Sequence, residues 1–338
     1  MNQKPLVSIV TPCYNSEEYI HRYLDSVLAQ TYDNVELVLV NDGSKDGTEQ
    51  AIYKYKEKIE ARGYILKYIR QENKGIGGAI NTGIKYITGE YFAWCDSDNF
   101  YASNYIESKI NFFLKHPEYA VVRCDGYIVF ENELEKPIAR MSKGNTDLYN
   151  EKLFYNCIDE KNFHFGCAMI KTSDFDIVNP KREIYPSREG QNWQLLLPVF
   201  YHFKSGYIDE PMFYFVFRQD SVSNITSTQS VEKKVNQMAE YEKILKTTIC
   251  SMNIPEEKEV LKRIEVKYSE RRLYLYAKNK MKDKMEQEHL FLKENDVKLK
   301  RSTRVAYRVA KNGLYRFCYN VFSWLRRVLK KLRKADKI

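Results

Sequence analysis

The chain has no run of about 18 uncharged apolar residues, so no membrane-spanning helix is expected. Its first residues pass almost at once into strand-like sequence, without the regions of a secretory signal. The seven cysteines stand at 13, 95, 124, 157, 167, 250 and 318. The number is odd and no two lie at metal-ligand spacing, so reduced thiols in a cytosolic protein are expected. Net positive charge is lacking over most of the chain. Net charge is +9, but residues 298–338 hold fourteen Lys and Arg against one Asp, a net of +13, which leaves −4 for residues 1–297. A nucleic-acid binder would be basic throughout, so no nucleic-acid partner is expected. The Gly75-Ile76-Gly77-Gly78 run lacks the spacing of a dinucleotide fingerprint. No glycine-rich loop with an arginine follows the first apolar run, where Thr11-Pro12-Cys13-Tyr14 stands, and that removes the nucleotidyltransferase pattern.

What is present reads as an α/β protein. The 338 residues suffice for one large domain or two smaller ones, and 27 of them are Tyr. Residues 6–10 form a first buried strand ended by a turn at Thr11-Pro12. Asn15, with Glu18 three residues on, makes a capping box for a helix whose apolar stripe is Ile20, Leu24, Val27 and Leu28. Residues 35–40 are a second strand, ending in Asn41-Asp42-Gly43-Ser44, and a charged helix from Asp46 stops at Gly63. A third strand over 64–69, a loop over 71–75 and a glycine-rich helical stretch over 75–87 follow. The alternation predicts a mostly parallel sheet flanked by helices. Right-handed crossovers bring the polar strand ends to one edge of it. Beyond Asn99 we expect a helix over 103–116, strands over 119–130, 163–170 and 206–217, and a polar exposed segment over 132–150. A polar loop over 185–193 leads into a helix over 194–203, and residues 230–300 are charged and helical in period.

The fourth apolar run, 91–95, ends in Asp96-Ser97-Asp98. Two carboxylates one residue apart, at the carboxyl end of a buried strand, suit a hard cation and the phosphates it bridges. The motif itself is common, since roughly one such pair is expected by chance at this length. A second copy, Asp174-Phe175-Asp176, has no comparable flanking segments.

The neighbouring segments give the motif its weight. Val7-Ser8-Ile9-Val10-Thr11-Pro12-Cys13-Tyr14-Asn15, Ser26-Val27-Leu28-Ala29-Gln30-Thr31-Tyr32, Val38-Leu39-Val40-Asn41-Asp42-Gly43-Ser44, Asn73-Lys74-Gly75 with Asn81-Thr82-Gly83, and the stretch from Gly89 to Asp98 come in order. Together they resemble glycosyltransferase family 2, inverting enzymes of the GT-A fold, and the likeness thins out towards residue 225. The resemblance implies a Rossmann-like GT-A domain over 1–225, with a nucleotide-binding half (1–100) and an acceptor-binding half (101–225). A helical extension (226–300) and a basic tail (301–338) follow. It implies transfer of a sugar from a nucleotide-sugar donor to a glycan or lipid-linked acceptor, for cell-surface polysaccharide. Asp42 would accept a hydrogen bond from the base's imino group, or else cap the next turn. Pro12, Tyr14, Asn15 and Glu17 would line the nucleotide pocket, with Asn73, Lys74 and Gly75 beside base or phosphate. Asp96 and Asp98 would hold Mn²⁺ or Mg²⁺ against the diphosphate. Arg218 would meet the diphosphate or form an exposed ion pair.

The proton acceptor is where this sequence departs from its apparent family. The position that usually carries the basic Asp is Asn192, which cannot serve as a base. Glu189, three residues earlier, is one candidate base, and Asn192 is then an acceptor-binding residue. Trp193 is read either as a stacking surface for a sugar or as core. A non-catalytic, membrane-surface protein on the same fold is the competing class. In the tail, Phe317, Val321, Leu325, Val328 and Leu332 fall on one helical face among Arg326, Arg327, Lys330, Lys331, Arg333 and Lys334. That pattern predicts contact of residues 303–338 with an anionic membrane surface, at the inner face of the membrane.

Overall fold

The computed structural model describes residues 4–145, 147–160, 167–218, 229–313 and 315. Its elements run β1 (Val7–Cys13), α1 (Ile20–Leu28), β2 (Val35–Asn41), α2 (Thr48–Tyr53), α3 (Lys56–Ala61), β3 (Ile65–Arg70), α4 (Gly75–Gly83) and β4 (Tyr91–Trp94). They continue with β5 (Phe100–Tyr101), α5 (Tyr105–Lys115), β6 (Tyr119–Phe130), β7 (Ala139–Arg140), α6 (Phe154–Ile158), β8 (Ala168–Lys171), α7 (Thr172–Val178), α8 (Gln191–His202) and β9 (Lys204–Phe217). Four further helices follow: α9 (Val231–Met252), α10 (Glu257–Lys278), α11 (Lys282–Glu294) and α12 (Arg301–Lys311).

The strands form one sheet in the order β3-β2-β1-β4-β8-β6-β9-β5, with β7 beside β6. β1 and β2 are buried along their whole length, as central parallel strands are. β1, β2, β3 and β4 are mutually parallel, β8 runs against both β4 and β6, and β9 is parallel to β6. Six strands therefore point the same way, and their carboxyl ends share one edge. This is the mostly parallel, helix-flanked sheet that the alternation predicts. The core cluster on one face is built from α1 and α5 residues, among them Tyr23, Leu24, Tyr105 and Phe113, against Ile9, Leu37, Ala93, Met169 and Phe213. Each Ile, Leu, Met or Phe side chain among them, fully buried, contributes about 1.5–3 kcal/mol.

Several local expectations are corrected. β1 runs on through Thr11-Pro12 to Cys13. Pro12 is tolerated in a central strand because β4 pairs only with Val7, Ser8, Ile9 and Val10, so the missing N–H faces no partner strand. Asn15 does not cap α1. It sits at φ 48°, and its Oδ1 accepts the Lys45 N–H at 2.9 Å, spanning two loops. The charged helix after Asp46 is two short helices, α2 and α3. Asn192 and Trp193 lie in the first turn of α8, not in a loop before it.

By its contacts the chain divides into two compact units, Met1–Ile225 with Ile244–Ile254, and Thr226–Lys243 with Pro255–Ile338. The second has its own core of Leu273, Tyr276, Met285, Leu292, Ala306 and Tyr307. The buried face of α12, with Thr303, Ala306, Tyr307 and Ala310, means that the start of the basic tail is packed rather than free. Residues 316–338, which carry most of its charge and its apolar stripe, lie outside the described residues, as do Asp220 and Ser221.

Candidate active site

The shared carboxyl edge collects five short segments. Leaving β1, Tyr14 and Asn15 are exposed, and Glu17 is exposed with its Oε2 accepting the Gly47 N–H at 2.8 Å. A Cβ at Gly47 would stand 2.3 Å from Glu17 Oε1, so that glycine makes room for the carboxylate. Ser16 is the buried pin of the loop. Its N–H donates to Thr48 Oγ1 at 2.6 Å, and its hydroxyl lies 2.8 Å from that of Ser97, between the two aspartates.

At the end of β2, Asp42 is 2% exposed. Oδ1 accepts from Gln71 Nε2 (2.7 Å) and the Lys74 N–H (2.8 Å), and Oδ2 accepts from the Gly75 N–H (2.8 Å). The carboxylate thus organises the loop carrying Asn73 and Lys74, and each oxygen has capacity for two acceptances. The glycines after it serve the protein itself. A Cβ at Gly75, where φ is 78°, would stand 2.6 Å from Arg188 Cα, and one at Gly77 would stand 2.5 Å from the Ser187 carbonyl oxygen. The close approach that these glycines permit is that of Ser187 and Arg188. Arg188 Nη1 donates to Asn73 Oδ1 at 3.2 Å.

Asp96 and Asp98 follow β4. Burial first, and the neighbouring Asp98 charge second, raise the Asp96 carboxyl to about 7. Burial raises Asp98 as well, while the Arg218 guanidinium and, less strongly, that of Arg22 pull it back. Arg218 Nη2 is 3.5 Å from Asp98 Oδ2, and its guanidinium lies over the Tyr19 ring at 4.2 Å. Arg22 Nη2 donates to the Asp98 carbonyl oxygen at 2.7 Å, and its Nε is buried without a hydrogen-bond partner among the described residues. The Asp96 carboxylate accepts no hydrogen bond from a described side chain, the Cys95 thiol donating to its carbonyl oxygen instead. These features fit a divalent cation, whose charge would relieve two crowded carboxylates. Among the described residues no third acidic, His or Cys ligand joins them, which leaves coordination positions for phosphate oxygens or water. The second copy of the motif does other work: Asp176 pairs with Arg182 through both its oxygens at 2.7 Å, and Asp174 lies 3.6 Å from Lys171.

A pH dependence follows. Because the folded Asp96 pKa lies above the usual 3.8, its stabilising contribution in the metal-free protein is full below about 4 and is lost as pH rises through about 7. A cation competes with that proton. The rise in melting temperature on adding Mn²⁺ is therefore expected to grow from pH 5 to pH 7.5 and then level, as scanning fluorimetry would show; a shift independent of pH in that window contradicts the assignment.

On the other side of the edge, Trp94 Nε1 donates to Asn192 Oδ1 at 2.6 Å. An indole N–H only donates, so it fixes which end of the amide faces it. The Asn192 NH₂ group is turned elsewhere as a donor. The loop holding Glu189 is pinned by Gln194, whose Oε1 accepts the Tyr185 N–H at 2.6 Å and whose Nε2 donates to Ser187 Oγ at 3.2 Å. Ser187 Oγ in turn donates to the Glu189 carbonyl oxygen. Trp193 is 7% exposed. It packs in the core and offers no open face to a sugar, which corrects the stacking expectation. Arg22, Ser16 and Trp94 were not identified from the sequence. An Arg among the buried Ile20, Tyr23 and Leu24 of α1 was the one faint sign.

Comparisons with known proteins bear on the family and the fold. A model of Glycosyl transferase family 2 matches residues 8–207. An uncharacterized glycosyltransferase of Rickettsia typhi is 39% identical over 171 residues, which are 49% of this chain and 50% of that one. One of Rickettsia prowazekii is 33% identical over 245 residues, 70% of each. The chain thus spans about half the length of the first relative. S. aureus TarS 1–349, solved in complex with UDP-GlcNAc, has a similar fold at TM-score 0.57 and 17% identity over 90% of each chain. The mannosyltransferase PcManGT from Pyrobaculum calidifontis, in complex with GDP-Man and Mn²⁺, has TM-score 0.54 and 15% identity over 98% of this chain and 87% of that one. With the family model covering more than half of its length, the chain belongs to glycosyl transferase family 2.

Proposed function

We propose that this protein transfers a sugar from a nucleoside-diphosphate sugar to a glycan or lipid-linked glycan acceptor, with inversion at the anomeric carbon. The observation that carries this reading is the convergence of Asp96, Asp98, Arg22 and Arg218 at the carboxyl edge that also holds the Asp42 loop. Asp96 and Asp98 would hold Mn²⁺ or Mg²⁺, which when bound offsets charge on the departing diphosphate. Arg218 faces the same charge. Asp42 shapes the base pocket through the backbone of Lys74 and Gly75, with a lone pair of Oδ2 left for a base N–H. Tyr14, Asn15, Glu17 and Asn73 are the exposed rim of that pocket, while Pro12 is its buried floor.

Glu189 is the proposed base. It takes the proton of the acceptor hydroxyl as that oxygen attacks the anomeric carbon and the bond to the diphosphate oxygen breaks. The Asn192 NH₂ group holds the acceptor by donation. Calorimetric titration of UDP-, GDP- and dTDP-sugars tests the donor site. Binding of at least one, lost with EDTA, is expected; no binding of any in Mn²⁺ contradicts it.

The other reading, a binding protein without turnover, draws on Asn192 alone. PcManGT was solved with Mn²⁺, and TarS with UDP-GlcNAc, which supports donor handling on this fold. Among the described residues no helix is long and apolar enough to cross a membrane. A lipid-linked acceptor would instead be met through the basic tail. Since α12 is packed, the segment to remove is 316–338. Its deletion is expected to release the protein from vesicles of 30% anionic lipid in a flotation assay, the net basic charge supplying about 1 kcal/mol per residue. Undiminished flotation contradicts the tail's role.

A further inference from the structure

Three aromatic side chains cross the sheet in one row beside the proposed active site. Phe100 on β5 is paired in register with Tyr214 on β9, and Tyr214 with Tyr127 on β6. Their rings are in contact: Phe100 and Tyr214 stack at 4.4 Å and 8°, and Tyr214 and Tyr127 lie 5.7 Å apart at 49°. All three are partly exposed, whereas the adjacent Tyr101 and Phe213, which point to the other face, are buried. Among the described residues neither the Tyr127 nor the Tyr214 hydroxyl has a hydrogen-bond partner.

The pleat fixes which face carries the row. Phe92 and Val121 are both in register with Ile170, so they share a face, and Trp94 and Tyr127 follow them at even spacing. Beyond Val121 the register shifts between β6 and β9 put the extra residues on β9, leaving the β6 alternation from Val121 to Tyr127 intact. The alternate residues Ala93, Cys124, Tyr101 and Phe213 belong to the core on the other face. The row therefore shares the face of Trp94, whose indole holds Asn192. It lies in the last third of β6 and β9, towards the carboxyl edge, and begins two residues after Asp98. Asn99 joins the two, its Oδ1 accepting the Val216 N–H at 3.0 Å.

Packing does not require such a row. A stack of partly exposed rings with unpartnered hydroxyls has the chemistry that a sugar meets well. The apolar C–H face of a pyranose lies against the electron-rich ring, and phenol hydroxyls exchange hydrogen bonds with sugar hydroxyls. We propose that Phe100, Tyr214 and Tyr127 form a carbohydrate subsite that holds the acceptor glycan beside Asn192. This rests on the glycosyltransferase reading above and names the part of the acceptor that the protein grips: its sugar rather than its lipid or phosphate.

The test is saturation-transfer NMR on the full chain with cellobiose, maltose, lactose and chitobiose, without donor. At least one disaccharide is expected to bind the wild type. Its affinity is expected to fall at least tenfold in Tyr214→Leu and Tyr127→Leu, and less in Tyr214→Phe and Tyr127→Phe, which keep the rings. Melting temperature and Mn²⁺-dependent nucleotide binding serve as folding controls, and the Phe variants remain informative if a Leu variant fails them. No binding by the wild type, or equal binding by the Phe and Leu variants and the wild type, overturns the subsite. If nucleotide binding persists in that case, the subsite alone has failed; if Mn²⁺-dependent nucleotide binding is also absent, the enzyme reading has failed with it.

Discussion

Replacing Asp98 by Ala is expected to lower Mn²⁺-dependent nucleoside diphosphate affinity at least ~100-fold, since losing even a group that supports a ligand typically costs about 10–100-fold. The surroundings make the site sensitive. Asp98 is the carboxylate that Arg218 approaches at 3.5 Å, and Arg22 grips its carbonyl. Without it, two guanidinium groups face one another across a vacated position, and the cation keeps Asp96 alone. Asp96 also loses the neighbouring charge that helps to raise it, so its titration is expected to move down. Asp98→Asn separates charge from volume: it keeps the shape and should lose nearly as much affinity. Calorimetry with UDP or GDP, with and without Mn²⁺, reads this directly, and unchanged affinity in Asp98→Ala removes the metal assignment.

Glu189→Gln is expected to slow transfer more than tenfold while leaving donor affinity within about twofold. General-base catalysis is typically worth about 10²–10⁴ in rate, and an amide of the same shape cannot take the proton. The prediction is specific because the loop is held by Gln194, by Ser187 and by its seat against Gly75 and Gly77, so the substitution alters chemistry rather than position. Asn192→Asp is its partner experiment. Trp94 would donate to one oxygen of that Asp and leave the other free. If Glu189 is the base, Asn192→Asp gains nothing and loses the acceptor's hydrogen bond. If turnover instead appears only in Asn192→Asp, the native chain is a binder, and the base position is the one its family usually uses.

The parallel half of the sheet and the meeting of its polar ends were legible in the sequence, because fully buried strands read as continuous apolar runs. Asp96 and Asp98 were legible because they interrupt such a run. The hydrogen-bond economy of the loops was not. Asn15, Glu17 and Gly75 carry signals for capping, charge and flexibility, but in the fold Asn15 reaches Lys45, Glu17 reaches Gly47, and Gly75 abuts a loop more than 100 residues away. Partners that distant leave no periodicity for a sequence reading to detect. Trp193 was ambiguous for a related reason. A large amphipathic ring suits core or sugar equally, and burial decided it. Arg22 was hidden in an amphipathic helix that also carries His21 and Asp25, where it reads as a solvated charge.

Release of nucleoside diphosphate from UDP-, GDP- and dTDP-sugars, with Mn²⁺ and a mixture of glycan acceptors, tests the account most directly, with wild type and Glu189→Gln assayed together. The account predicts release from at least one donor by the wild type, abolished by EDTA and at least tenfold slower in Glu189→Gln. No release from any donor by the wild type, or equal rates in the two proteins, would contradict it.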